Sequence, residues 1–102
     1  MGKSRENALE SYLERLLEHL LKLSYWESEK QYCLRDWKSE IRNFREQIKK
    51  IIRKNPALKN KIELIWAEIY PVRISVMREL FDIPDSAEIS LNNALSDDWF
   101  PD

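Results

Sequence analysis

The sequence predicts an all-α fold in which three long helices form a bundle, followed by a short C-terminal helical turn and an acidic tail. The first observation is a leucine-rich stretch from Leu9 to Trp26, whose apolar residues spread over roughly 220° of a helix circumference and need cover on several sides. The second is that two later segments repeat apolar residues in steps of three and four, which supplies that cover. At 102 residues, the chain fits one domain, 1–102.

Helix one is predicted over about residues 5–24. Ser4 is a suitable N-cap, and Glu10, Glu14 and Glu18 recur every four residues on an outer face that we expect to be solvated. The apolar period changes after this helix, which indicates a short turn with Ser28 as the cap of the next helix.

Helix two, predicted over about residues 29–54, has the most regular pattern in the chain. Its heptad-like seam is typical of helices that pack at about +20°, and we expect an antiparallel hairpin with helix one. Burial of each seam side chain contributes roughly 1.5–3 kcal/mol before the entropy of ordering is subtracted. The seam residues are Leu34, Trp37, Ile41, Phe44, Ile48 and Ile51.

Helix three is predicted over about residues 56–82, with Asn55 as its N-cap and Pro56 at its first position. The apolar pattern crosses Pro71 in phase, so we expect the proline to kink this helix rather than stop it. Pro84 ends the helix, because the residue before a proline disfavours helical geometry. The predicted core face comprises Leu58, Ile62, Ile65, Ile69, Val72, Val76, Leu80 and Ile83, flanked by Trp66, Tyr70 and Met77.

The tail, residues 84–102, is predicted to be irregular apart from one short helical turn capped by Ser90 and running through Leu91 and Leu95. Trp99 and Phe100 lie close to the end of the chain, and large aromatic side chains gain much from burial. We therefore expect both to dock on the bundle.

The composition of the chain indicates the class of protein and its cellular compartment. Charged residues make up 34% of the chain and hydrophobic ones 43%, which is typical of a folded, soluble protein. The first seven residues are polar apart from Met1 and no long apolar run follows, so we expect no secretory leader and no membrane contact. Cys33 is the only cysteine, which favours a reducing cytoplasm.

Charge is segregated along the chain although the net charge is only −1. Residues 35–61 carry ten basic and three acidic side chains, whereas residues 79–102 carry seven acidic and no basic ones. A row of cations beside the seam of helix two could follow a phosphate backbone, or it could be a solvated face that pairs with the acidic tail. We favour the second interpretation, because the aromatic residues suited to base stacking are mostly used in the core. The row comprises Arg35, Lys38, Arg42, Arg45 and Lys49.

No residue set predicts catalysis, a metal site or a cofactor. Glycine occurs only at Gly2, which argues against phosphate-binding and dinucleotide-binding loops. His19 with Arg15 one turn earlier is the one catalytic candidate, but a packed, hydrogen-bonded histidine is the favoured interpretation because no second group is evident. One histidine and one cysteine are too few to form a metal-binding site. We interpret Cys33 as a small apolar side chain that fills space beside the seam.

Several stretches match the pattern of a known family: Gly2–Ser4 with Ala8–Ser11, Leu16–Lys22, Asn55–Leu58 and Asp97–Pro101, together with Trp37, Ile41, Gln47 and Ile48. On these residues the chain resembles a largely cyanobacterial family of helical proteins, domain of unknown function family 29. The resemblance implies an all-helical fold and no assigned activity. Members of the family usually have a further helical segment upstream, so we expect this chain to be shortened there. Pro71 falls where the family pattern is an uninterrupted helix.

Helix one has more apolar circumference than two neighbouring helices cover, so we expect a homodimer that completes the bundle between chains. The predicted association face comprises Leu16, Leu17, Leu20, Leu21 and Trp26, with another protein as the alternative occupant. The function predicted first is a non-enzymatic protein-interaction or assembly module. The alternative is a nucleic-acid-associated regulator that uses the basic flank of helix two, masked by the tail.

Overall fold

The computed structural model describes residues 2–101, and the side chains of residues 4–101. Its elements are α1 (Gly2–Tyr25), α2 (Glu27–Lys54), a 3₁₀ helix (Pro56–Lys61), α3 (Ile62–Met77) and α4 (Leu91–Leu95). The predicted all-α fold, with three long helices and a short C-terminal helical turn, is confirmed. None of the helices in this part of the chain combines the length and the apolar character of a membrane span.

The leucine-rich helix α1 is the centre of the fold. It lies between α2 and α3 and packs against both. Arg5 Nη1 donates to Asn55 Oδ1 at 2.6 Å at one end of the α1–α2 pair, and Trp26 stacks on Trp37 at the other, so the two helices run antiparallel. Seven leucines of α1 are fully buried: Leu9, Leu13, Leu16, Leu17, Leu20, Leu21 and Leu23.

Trp26 alone separates α1 from α2, so the link is shorter than predicted. Its ring stacks on Phe81, with centroids 4.9 Å apart, and on Trp37. These two stacking contacts fix Trp26 between the helices. The predicted caps are wrong, because Ser4 lies inside α1 and Ser28 lies inside the first turn of α2.

Helix three begins later than predicted. Residues 56–61 form a 3₁₀ helix, and the Asn55 side chain makes no cap hydrogen bond to it. Instead the Asn55 side-chain amide donates back to the Ile51 carbonyl at 3.1 Å, and this carbonyl also accepts from the Asn55 backbone N–H at 2.9 Å. Asn55 therefore caps the helix that precedes it rather than the one that follows.

Helix α3 continues through Pro71 as predicted, but its buried face does not keep the predicted phase. Ile74 and Met77 are buried, whereas Val72 and Val76 are 52% and 40% exposed. A pattern of 3.5 residues per turn drifts by about 20° per heptad on a straight helix, so residues late in the helix leave the core side. The α-helix also ends at Met77 rather than near residue 82.

The C-terminal segment, residues 91–101, returns to the bundle. The Asn93 N–H donates to Ser90 Oγ at 3.1 Å, which confirms the predicted cap of α4. Trp99 and Phe100 are half-buried and pack against the core, as predicted. Residues 78–90 connect α3 to this segment through turns and extended backbone.

Candidate functional site

Arg45 is the one charged side chain that is buried in the part of the chain described by the structure, at 1% exposed. It lies on α2 and faces the C-terminal segment. Its Nε donates to the Ala94 carbonyl at 2.7 Å, and its Nη2 donates to the carbonyls of Trp99 at 2.8 Å and Asn93 at 3.3 Å. A single guanidinium thus holds the backbone of the C-terminal segment at both of its ends.

Phe100 lies beneath three cations of α2. Its ring centroid is 5.2 Å from Lys38 Nζ, 5.2 Å from Arg42 Cζ and 5.1 Å from Arg45 Cζ. Distances below about 6 Å allow cation–π attraction to the negative face of the ring. We call Lys38, Arg42, Arg45 and Lys49 the cationic row, and the C-terminal segment contacts each of its members.

The row is completed by an ion pair between Lys49 Nζ and Asp97 Oδ2 at 2.5 Å. The hydrogen bond from Lys49 lowers the pKa of Asp97, with attraction to Lys49 and Arg45 in the same direction and burial opposing it. Burial lowers the pKa of Arg45, the charge of Asp97 opposes this effect, and repulsion from Arg42 adds to it. Among the described residues, no carboxylate lies within ion-pair distance of Arg45, and its buried Nη1 has no hydrogen-bond partner.

The predicted basic surface needs one correction. Arg45 is not a surface residue, because the C-terminal segment packs over it and its carbonyls replace water around the guanidinium. Lys38, Arg42 and Lys49 contact the same segment, while Arg35 is exposed. Of the two interpretations of the row, pairing with the acidic tail describes the folded chain.

His19 lies in a cleft of about 510 Å³ between the three long helices. Its Nδ1 donates to the Arg15 carbonyl at 2.8 Å, its Nε2 contacts Glu40 Oε2, and the edge of its ring meets Phe44 with centroids 5.1 Å apart. Both ring nitrogens are engaged, so the side chain ties α1 to α2. Its aromatic packing partner is Phe44 of α2.

The same cleft corrects the expected solvated face of α1. Arg73 of α3 donates through Nη1 to Glu18 Oε2 at 2.8 Å, and its Nε lies 3.5 Å from Glu14 Oε2. The Nε–Glu14 contact is within ion-pair range, but its geometry is not that of a hydrogen bond. Both glutamates are half-buried, because α3 passes over them. They hold α3 against α1.

The predicted association face of α1 is also wrong in its main part. Leu16, Leu17, Leu20 and Leu21 are fully buried within a single chain, and Trp26 is half-buried in the aromatic stack. Two neighbouring helices alone would leave part of this face uncovered, but α4 packs on a third side of α1. These leucines form the core of the monomer.

Different apolar residues, all on α3, are exposed instead. Leu64, Val72 and Val76 are 62%, 52% and 40% exposed. The exposed charged side chains of α3 are Glu63 and Glu68. We call these five residues the outer face of α3. The sequence signal for this face is that α3 is apolar on all sides, although only one side of it can pack against α1.

A comparison with protein families places these features in context. The family model described as Domain of unknown function DUF29 matches residues 1–100. The chain belongs to this family. The DUF29 match covers both Arg45 and the C-terminal segment as far as Phe100, so the contact between them lies within the family region. No curated protein and no solved structure matched the chain.

Proposed function

We propose that this DUF29 protein is a non-enzymatic interaction and assembly module, and that the outer face of α3 binds a second copy of the chain. The observation that carries the proposal is the exposure of Leu64, Val72 and Val76 on a helix whose opposite side is core. Contiguous apolar surface on a folded chain is typical of a docking site. Another protein with an apolar helix face is the alternative occupant.

The expected association is weak and reversible. Complete burial of an exposed aliphatic side chain contributes roughly 1.5–3 kcal/mol, and these three are about half exposed, so six side chains in a dimer contribute roughly 6 kcal/mol. Association costs reduce this gain, so the dissociation constant should be no tighter than about 40 μM. A symmetric contact through this face would bring Glu63 and Glu68 of the two copies near one another, so added salt should strengthen the dimer by screening their repulsion.

The test is solution mass by light scattering over protein concentrations from about 10 μM to 1 mM. We expect the mass to rise from monomer to dimer, and the double variant Val72→Glu/Val76→Glu to stay monomeric. Tyr32→Glu is the matched control, because Tyr32 is an apolar residue of α2 that is 76% exposed outside the outer face. A monomer at every concentration, or equal loss of the dimer with Tyr32→Glu, would contradict the proposal.

We also place the protein in the cytoplasm, because its only cysteine, Cys33, is a free thiol that needs no oxidising compartment. The non-enzymatic part of the proposal is supported by the engagement of both ring nitrogens of His19. The alternative function, a nucleic-acid-associated regulator, depends on the cationic row and therefore on movement of the C-terminal segment.

A further inference from the structure

We propose that the cationic row of α2 is a binding site for the phosphate backbone of duplex nucleic acid, and that the chain's own C-terminal segment covers this site until it is released. This site lies on α2, so it is independent of the outer face of α3. The segment that must move is short, residues 96–101, which follow α4 and have no helical structure.

The spacing of the row fits a phosphate backbone. Lys38, Arg42, Arg45 and Lys49 are separated by steps of four, three and four residues, which places them on one side of α2. At about 1.5 Å per residue, the row is about 16 Å long. This length corresponds to four or five phosphates of one DNA strand at about 3.4 Å of rise each.

The C-terminal segment neutralises the row incompletely. Asp97 supplies a carboxylate to Lys49, whereas the face of Phe100 and three backbone carbonyls meet the other cations. Within residues 4–101, no ion pair is found for Lys38, Arg42 or Arg45. A phosphate backbone offers one negative charge for each cation, which uncharged carbonyl and ring contacts do not.

Release of residues 96–101 exposes the half-buried rings of Trp99 and Phe100, but it breaks few polar contacts. The Lys49–Asp97 pair is exposed, and exposed pairs contribute little to stability. Arg45 loses its bond to Trp99 but keeps its bonds to Asn93 and Ala94, since α4 stays in place. Phe100 leaves its position beneath Lys38 and Arg42, whose charged groups then become available to phosphate, while Arg45 stays bound to α4.

The test uses full-length variants and the fluorescence anisotropy of a labelled DNA duplex of about 20 base pairs, in salt from about 50 to 200 mM. We expect Asp97→Asn/Phe100→Ala to bind about tenfold more tightly than the parent at the lowest salt. With three phosphate contacts, from Lys38, Arg42 and Lys49, at about 0.9 each, the logarithm of the association constant should fall by about 2.7 per tenfold rise in salt. Asp97→Asn alone, which leaves Phe100 in place, should give a smaller gain in the same direction.

Asp98→Asn is the matched control. It removes the same charge from the neighbouring residue, for which no ion pair is found among the described residues. We expect Asp98→Asn to bind the duplex no more tightly than the parent, and Arg42→Gln/Lys49→Gln to remove the gain of the released variant. Circular dichroism establishes that each variant is folded. The absence of duplex binding by both folded Asp97 variants, or an equal gain with Asp98→Asn, overturns the proposal.

Discussion

Replacement of Arg45 by methionine should destabilise the fold through the C-terminal segment. Methionine keeps most of the length and the packing of the arginine stem but donates no hydrogen bond. The three carbonyls that Arg45 binds would lose their donor, and Phe100 would lose one of its three cations. The segment should then separate from α2.

The size of the effect follows from the burial of each carbonyl. The bond to Ala94 is buried, and an unsatisfied buried acceptor costs about 1–3 kcal/mol. The bonds to Asn93 and Trp99 are partly buried, so water can replace the donor there at a smaller loss. Removal of a desolvated guanidinium offsets part of the total. We expect the free energy of unfolding to fall by about 2–4 kcal/mol.

The measurement is equilibrium unfolding in urea, followed by circular dichroism and tryptophan fluorescence. Arg42→Met is the matched control, because Arg42 lies over the same Phe100 ring but is exposed. Its loss should lower the free energy of unfolding by about 0.5–1 kcal/mol. If Arg45→Met unfolds within about 0.5 kcal/mol of the parent, or if the two variants are equally destabilised, then Arg45 does not anchor the segment.

Two further predictions concern the core and the tail. Leu20→Ala should lower the free energy of unfolding by about 3–5 kcal/mol, because it opens a cavity in the core around α1. Leu64→Ala should change it by no more than about 0.5 kcal/mol. Urea unfolding measures both variants, and equal losses would place Leu20 outside the core. The lowered pKa of Asp97 stabilises the docked tail above the ordinary carboxyl range, and this contribution is lost as the pH falls through the lowered value. The Trp99 amide, which donates to the Ser96 carbonyl in the docked tail, should therefore exchange faster at about pH 2.5 than at about pH 6 after correction for intrinsic exchange, since the ordinary carboxyl pKa is about 4. Asp97→Asn should show no such step, and the same step in this variant would assign it to another group.

Much of the fold could be predicted from local pattern. The repeats of α1 and α2, the cap at Ser90 and the docking of Trp99 and Phe100 depend on residues close together in the chain or on strongly apolar side chains. The predicted phase of α3 failed after Pro71, because the side of a helix that is buried depends on the position of its neighbours. The burial of Arg45 was missed because charged residues are seldom buried without a partner.

By itself, the sequence determined that the chain forms three long helices around a leucine-rich centre, because helical periodicity is a local property. It also determined that the basic and acidic residues are segregated. The tertiary structure alone decided which apolar residues remain outside, and it left Val72 and Val76 exposed while it buried Arg45. The physical reason is that burial depends on contacts between residues far apart in sequence, such as those of Arg45 with Ala94 and Trp99, which no local pattern contains.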